Sequence, residues 1–315
     1  MKQNFVKIWK KMPSSGAVYG IVLFVIIFSA AIPGYLSLYN VTNITRQAAV
    51  LCFISMCSCL AILTNQVDLS CGAISSLAAC VAARAMNGGS SILVGCLFGI
   101  LAALVLGLIN GLLAGYTPIP TFIITLATMN IAESLGMVLQ GGTIHIPYAE
   151  FAQLSEGNIL YIPVPVLLVA VLYIRMNYIL KNRRYGTYLY AVGGKEDAAW
   201  SSGINVKKMK LSVYLINAVL AAFAGFIYAA RLSAANPSQG SGLELNGICA
   251  AVLGGVVLGG GRGSVFGALL GAIAISILRN GMNMLGWRIL TQMMVIGFIL
   301  ILILAIDVKK KEAES

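Results

Sequence analysis

Long apolar runs alternate with short polar breaks along nearly the whole chain. A hydrocarbon layer about 30 Å thick takes roughly 20 helical residues to cross. By that measure the runs predict spans near 17–37, 46–64, 69–86, 91–115, 119–140, 162–180, 211–231, 244–259, 264–284 and 289–306. The third and eighth are short or broken by glycine. The pattern is that of an all-α, polytopic membrane protein of about ten transmembrane helices, with residues 1–315 forming one membrane domain. Four helices, a long basic loop and four more helices would fit an inverted repeat, although the letters of the two halves show little direct similarity.

Composition agrees. The chain is 59% hydrophobic and 10% charged, with a mean hydropathy of +0.90, whereas soluble domains run nearer a quarter charged. The net charge of +11 raises the question of nucleic acid, but its placement answers it. Lys2, Lys7, Lys10 and Lys11 precede the first run. Lys181, Arg183, Arg184, Lys195, Lys207, Lys208 and Lys210 sit in one loop, Arg262 in a glycine-rich turn, and Lys309, Lys310 and Lys311 in the tail. The two longest loops on the other side, about 141–161 and 232–243, hold no lysine or arginine. That asymmetry puts both termini in the cytoplasm and makes the lipid bilayer, not nucleic acid, the partner of this charge. The exceptions are Arg46, Arg84, Arg175, Arg231, Arg279 and Arg288. The lysines ahead of residue 17 imitate a signal peptide, yet the run behind them is too long for one and is expected to stay as the first helix.

Cys52, Cys57, Cys59, Cys71, Cys80, Cys96 and Cys249 lie in or beside apolar stretches without CxxC spacing, which suits small hydrophobes in helices. Gly107, Gly111 and Gly115 recur every four residues, as do Gly255, Gly259, Gly263, Gly267 and Gly271. Such spacing lets helix backbones approach in lipid. The second ladder crosses a turn near Gly260 and is not one helix face.

Catalytic chemistry is missing. Gly194 and Lys195 are followed by Glu196, and position 189 is leucine, so no GxxxxGK[ST] phosphate loop is present. His145 has no ligand partners at metal spacing. No serine nucleophile elbow or HExxH occurs. Asn236 and Pro237 form half of a water-channel signature whose second half is missing. The chain is expected to be no enzyme, with no metal site and no cofactor of its own.

Polar residues at membrane depth are the candidates for a pathway. Glu133 falls well inside the fifth span, where a carboxylate normally faces the bundle interior, a watery path or an arginine; Thr125 and Asn130 share that span. Asp68 and Ser70 stand between the second and third spans and are placed to cap the next helix. Asn280 and Asn283 lie near the outer end of the ninth, able to pair with each other or with backbone. In the 181–210 loop, Gly193 and Gly194 are expected to break the chain. Glu196 and Asp197 suit the positive end of a helix, Ala198, Ala199 and Trp200 continue it, and Gly203 stops it.

At this loop the sequence resembles the ribose-type sugar permeases of bacterial ABC importers, whose segment reads roughly AVGGNExAxRxSGI against AVGGKEDAAWSSGI at 191–204. QVDLSCG at 66–72 is similar to the family's GIDLSxGS. PTFIITL at 120–126 resembles its PxFIxTL, and GLEL at 242–245, AVLGG at 251–255 and GGRGS at 260–264 resemble its GxELxxIAAVVLGG…GGxG run. The resemblance implies a permease of the bacterial cytoplasmic (inner) membrane. It would work with a second permease copy (homodimer or heterodimer), a separate ABC ATPase carrying the ATP and magnesium, and an extracytoplasmic sugar-binding protein. The helix around Glu196–Ser202 would couple it to the ATPase. Trp200 stands where the family often has arginine, and Glu133 where an arginine is usual; Gln66, Val67, Cys71 and Ala73 also depart. An ion-coupled secondary transporter, or a permease for a nucleoside or branched-chain amino acid, are the alternatives.

Overall fold

The computed structural model describes residues 15–314; Lys2, Lys7, Lys10 and Lys11 lie outside it, and the side chains of Lys309, Lys310 and Lys311 are not described. Thirteen helices occupy the described residues: α1 Ser15–Ala31, α2 Leu38–Leu63, α3 Cys71–Asn87, α4 Ile92–Tyr116, α5 Thr121–Gln140, α6 Ala149–Glu156, α7 Val164–Asn182, α8 Arg184–Gly194, α9 Glu196–Ser201, α10 Val206–Leu232, α11 Leu243–Leu253, α12 Val265–Met284 and α13 Ile289–Glu314. Every predicted span overlaps one of them. Six helices (α2, α4, α5, α7, α10 and α12) are long and apolar enough to cross a membrane.

Local chemistry explains where the boundaries differ. The first span ends early, at Ala31, because Gly34 turns the chain at φ +75°. Ser37 then accepts from Asn40 N at 3.3 Å, so α2 starts eight residues before the apolar run suggested. The eighth span is not a full crossing. Helix α11 has 11 residues, about 16 Å, and gives way at Gly254 to a turn in which Gly255, Gly260, Gly261 and Gly263 all take positive φ. The second glycine ladder is therefore half turn and half helix. Two segments missed in the sequence close the far end, opposite the basic loop. They are the amphipathic α6 and a short antiparallel ladder, β1 (Ile144–His145) with β4 (Ala234–Ala235). A second hairpin, β2 (Asn158–Ile159) with β3 (Ile162–Pro163), leads into α7.

Helices α2, α10 and α12 form the interior, and α3 packs with them. Helices α4, α5 and α7 turn most of their apolar side chains outward, Leu97, Leu101, Phe122 and Ile174 among them. A continuous apolar exterior of that extent needs lipid or another apolar surface to cover it. Inside, packing replaces hydrophobic drive. A Cβ on Gly107 would meet Tyr214 and Ala218, one on Gly111 would meet Leu211, and one on Gly115 would meet Lys207. The first ladder is thus the seam along which α4 lies on α10. Among the described residues no disulfide forms, and the cysteines are buried except the half-buried Cys96, as packing residues would be.

Candidate translocation and coupling sites

The chain between α2 and α3 is not helical: a turn at 64–65, with Asn65 at φ +57°, leads into irregular backbone over 66–70. It follows Leu63 at the basic end and enters α3 deep inside the bundle, so Asp68 and Ser70 are buried (2% and 0% exposed). Asp68 Oδ1 accepts from Ser70 N at 3.0 Å and from Ser70 Oγ at 2.7 Å; Oδ2 accepts from Asn217 Nδ2 at 3.0 Å. Asn217, in the middle of α10, also donates to Cys57 O at 3.1 Å. On the other side Asn110 Nδ2 donates to Ser70 Oγ at 2.9 Å, and Thr128 Oγ1 to Asn110 Oδ1 at 2.5 Å. Thr125 Oγ1 accepts from Leu69 N at 3.1 Å. One buried polar chain therefore joins α2, α3, α4, α5 and α10. Among the described residues no cation pairs with Asp68; neutral donors alone satisfy it, which a low-dielectric interior demands of any buried carboxylate. Ser70 occupies the N-cap position without a side-chain cap bond, so the expected capping by Ser70 does not form.

A second irregular stretch, the β4 pair 234–235 followed by consecutive turns over 237–242, descends from the far end into α11. Its Gly240 and the Gly72 of α3 touch backbone to backbone, leaving room for no Cβ on either, and Gly240 N donates to Ser76 Oγ at 2.7 Å. The N-terminal ends of α3 and α11 thus meet inside the protein. Each carries an acid: Asp68 before α3, and Glu244 in the first turn of α11. Glu244 is buried (7% exposed); Oε1 accepts from Gly242 N at 3.0 Å, while Oε2 lies against Gly72 without a hydrogen-bond partner. The positive ends of the two helix dipoles oppose the cost of these acids.

The other pathway candidates scatter. Asn280 is buried and exchanges two bonds with Asn40, at 3.1 and 3.0 Å, a structural clasp between α2 and α12 rather than a pairing with Asn283. Asn283 instead accepts from Gln292 Nε2 at 2.6 Å in the wall of a cavity at the far end. Asn130 is exposed and donates to Leu126 O of its own helix at 3.1 Å. Glu133 is half-buried, and among the described residues no arginine pairs with it; it acts electrostatically on Glu244, as does Asp68.

Two cavities flank the polar centre. The far-end cavity, about 300 Å³, is walled by α2, α10, α12 and the start of α13. The basic-end cavity, about 510 Å³, includes Gln66, Thr121, Glu196 and Lys210.

At the basic end, Gly193 and Gly194 do not break the chain. They complete α8, and the break falls at Lys195 (φ −156°). Gly193 is there for contact: it rests on Leu63 O and on Gly261 N, which itself donates to Leu63 O at 3.1 Å. Tyr190 Oη donates to Gly263 O at 3.0 Å; burial, with Cys59 adding to it, pushes that phenol up to about 12, so it remains a donor. Helix α9 follows as expected, with Glu196 and Asp197 in its first turn and Gly203 at φ +81° behind it. Glu196 is tied to Lys210 of α10 at 2.9 Å. Ala199 is buried, Ala198 and Asp197 are exposed, and Trp200 is 73% exposed.

Sequence reasoning missed Asn217, Asn110, Thr128 and Glu244. Asn110 had a signal, being the lone amide in the apolar run 92–116. It also passed over Arg231 and Arg279, although they were among the arginines that the inside loops did not account for.

Comparison with known proteins gives the arrangement its relatives. A family model described as "Branched-chain amino acid transport system / permease component" matches residues 40–304. The ribose import permease protein of Escherichia coli (strain K12) is 34% identical, covering 98% of each chain. That of Bacillus subtilis (strain 168) is 36% identical over 95% of this chain and 94% of its own. The D-allose transport system permease protein of Escherichia coli (strain K12) is 34% identical over 96% and 93%. No solved structure matches. A match of this extent decides the family: the chain belongs to the permease components of branched-chain amino acid transport systems and their sugar-importing relatives.

Proposed function

We propose that this chain is the membrane permease subunit of an ATP-driven monosaccharide importer in the bacterial inner membrane. The observation that carries the reading is near-full-length similarity to permeases named for ribose and for allose. The xylose transport permease of Haemophilus influenzae (strain ATCC 51907), 34% identical over 90% of this chain, adds a third monosaccharide. Ten crossings are supported by a helix overlapping each predicted apolar run. Helix α11, too short to cross alone, would complete its crossing only together with the turns of 237–242 that lead into it. The basic loop then faces the cytoplasm.

In this reading α9 is the coupling helix. Trp200, Asp197 and Ala198 face outward to meet the ATPase, and Gly193, Gly194, Glu196, Ala199 and Gly203 shape and fix the lever. Alternating access would open the far-end cavity and the basic-end cavity in turn, with the Asp68–Asn217 centre between them. A second copy, identical in the simplest case, would complete the pathway against the face of α5 that leaves Asn130 exposed and Glu133 half-buried. The sugar would be delivered by an extracytoplasmic binding protein, and ATP and magnesium would stay on the ATPase.

The test is a mild-detergent pull-down of the tagged chain from its native membrane. A stoichiometric ATPase subunit supports the importer. A chain that purifies alone and moves solute in liposomes without ATP would be a secondary transporter instead.

A further inference from the structure

The far-end cavity has an electrostatic character that the importer reading leaves unused. Its wall carries Arg231 of α10 and Arg279 of α12 beside Tyr228, Trp287, Gln47 and Asn283, and no carboxylate. Among the described residues Arg231 donates only to the amide oxygen of Asn43, at 3.3 Å, and Arg279 has no hydrogen-bond partner. Arg46, close enough to act on Arg231, donates to Glu156 O at 2.8 Å and keeps a buried Nε without a partner. Among the described residues none of the three is in an ion pair. Half-buried guanidinium groups without an internal counter-charge are costly to desolvate, and in a membrane protein they mark a pathway or a ligand.

The volume, about 300 Å³, is at the lower end of small-molecule sites. Two aromatic side chains supply faces for a sugar ring, and the amides of Gln47 and Asn283 supply hydroxyl partners. The guanidinium forks match a carboxylate, which accepts two parallel N–H bonds.

We propose that this cavity is a station for the solute in the far half of the pathway, and that Arg231 and Arg279 make it select a monosaccharide bearing a carboxylate (a uronic or aldonic acid) over its neutral parent. The proposal rests on the importer reading and narrows its substrate class.

The experiment is direct binding to the full chain in nanodiscs of zwitterionic lipid, read by tryptophan fluorescence, with hexuronates, aldonates and their neutral parent sugars as probes. The acids should quench saturably, the quench should vanish in Trp287→Phe, and added salt should weaken it. Arg279→Gln should weaken binding about ten- to hundred-fold, the scale of one charged hydrogen bond. Arg279→Lys, which keeps the charge and loses the fork, should fall between. Neutral sugars binding as tightly as the acids, or Arg231→Gln and Arg279→Gln leaving the acids untouched, would overturn the proposal. Phosphatidylglycerol that copurifies with the wild type, is lost in the double glutamine variant and blocks the acids would also overturn it, making the occupant a lipid headgroup. ATP-driven uptake of a neutral sugar that is indifferent to Arg279→Gln would sink this inference and leave the importer standing. The lack of an ATPase partner would do the reverse.

Discussion

Two adjacent glycines in the last turn of α8 should respond oppositely to one methyl group. At Gly194 a Cβ meets nothing within 4 Å, and alanine in a helix is favoured over glycine by about 0.5–1 kcal/mol. At Gly193 the same atom would land on the carbonyl oxygen of Leu63, with Gly261 N 2.8 Å away. All of these neighbours are backbone, so no side-chain rotation relieves the clash. Restoring ordinary contact, near 3.5 Å between heavy atoms, requires α8 to lift from α2 by more than about 1 Å. That would strain the 3.1 Å bond from Gly261 N to Leu63 O. Overpacking of this kind costs about 1–3 kcal/mol, so Gly193→Ala and Gly194→Ala should differ by about 2–4 kcal/mol. The assay is thermal stability of both purified variants in detergent, followed by solute-stimulated ATPase activity of the reconstituted complex. Gly193→Ala should lose stability and stimulation together, with Gly194→Ala at or above wild type. If the two variants behave alike in both measurements, the seating of α8 on Leu63 and Gly261 is wrong.

Three further outcomes follow from the packing. Asn217→Leu keeps roughly the side-chain shape but leaves Asp68 Oδ2 and Cys57 O without their donor. It should cost about 1–3 kcal/mol, read as a lower unfolding midpoint in detergent. Gly107→Leu should force α4 off Tyr214 and Ala218 and reduce the yield of folded protein, whereas Gly297→Leu, where a Cβ meets nothing within 4 Å, should not; size-exclusion profiles decide. The double change Glu196→Lys with Asp197→Lys removes the bond to Lys210 and reverses the charge at the start of α9. Membrane insertion should persist while ATP-driven uptake falls, and normal uptake would remove α9 from the coupling role.

Apolar run lengths located the helices because each crossing must satisfy its backbone internally over a fixed thickness, and that demand is written in consecutive residues. Cap chemistry was legible where it is local, as at Gly203. It misled at Gly193 and Gly194, because a glycine required for close approach and a glycine required for a turn are the same letter. Asp68 was legible as a candidate polar residue between two spans, but its burial and its partners were not: Asn217 lies 149 positions away and Asn110 is 40 from Ser70. Only packing brings such groups together. Asn280 illustrates the converse, since its partner Asn40 sits in a stretch that apolar run length had placed outside any helix.

The proposed coupling region and the polar centre are linked by packing. Helix α8 seats on Leu63, the last residue of α2, and through Tyr190 on the turn at Gly263. Residue 63 leads through a turn at 64–65 into the non-helical segment carrying Asp68, and the 254–264 turn follows directly from α11, whose first turn carries Glu244. A displacement of α8 is therefore delivered to both chain segments whose helix ends meet at Gly72 and Gly240. The same two segments hold the two buried acids; Asp68 is tied across to Asn217 of α10, and Gly240, ahead of Glu244, is tied across to Ser76 of α3. Sliding either segment would cost its cross-element bond and open the glycine contact in one step. A centre built this way favours two discrete positions over a continuum, which is what a gate between two cavities requires.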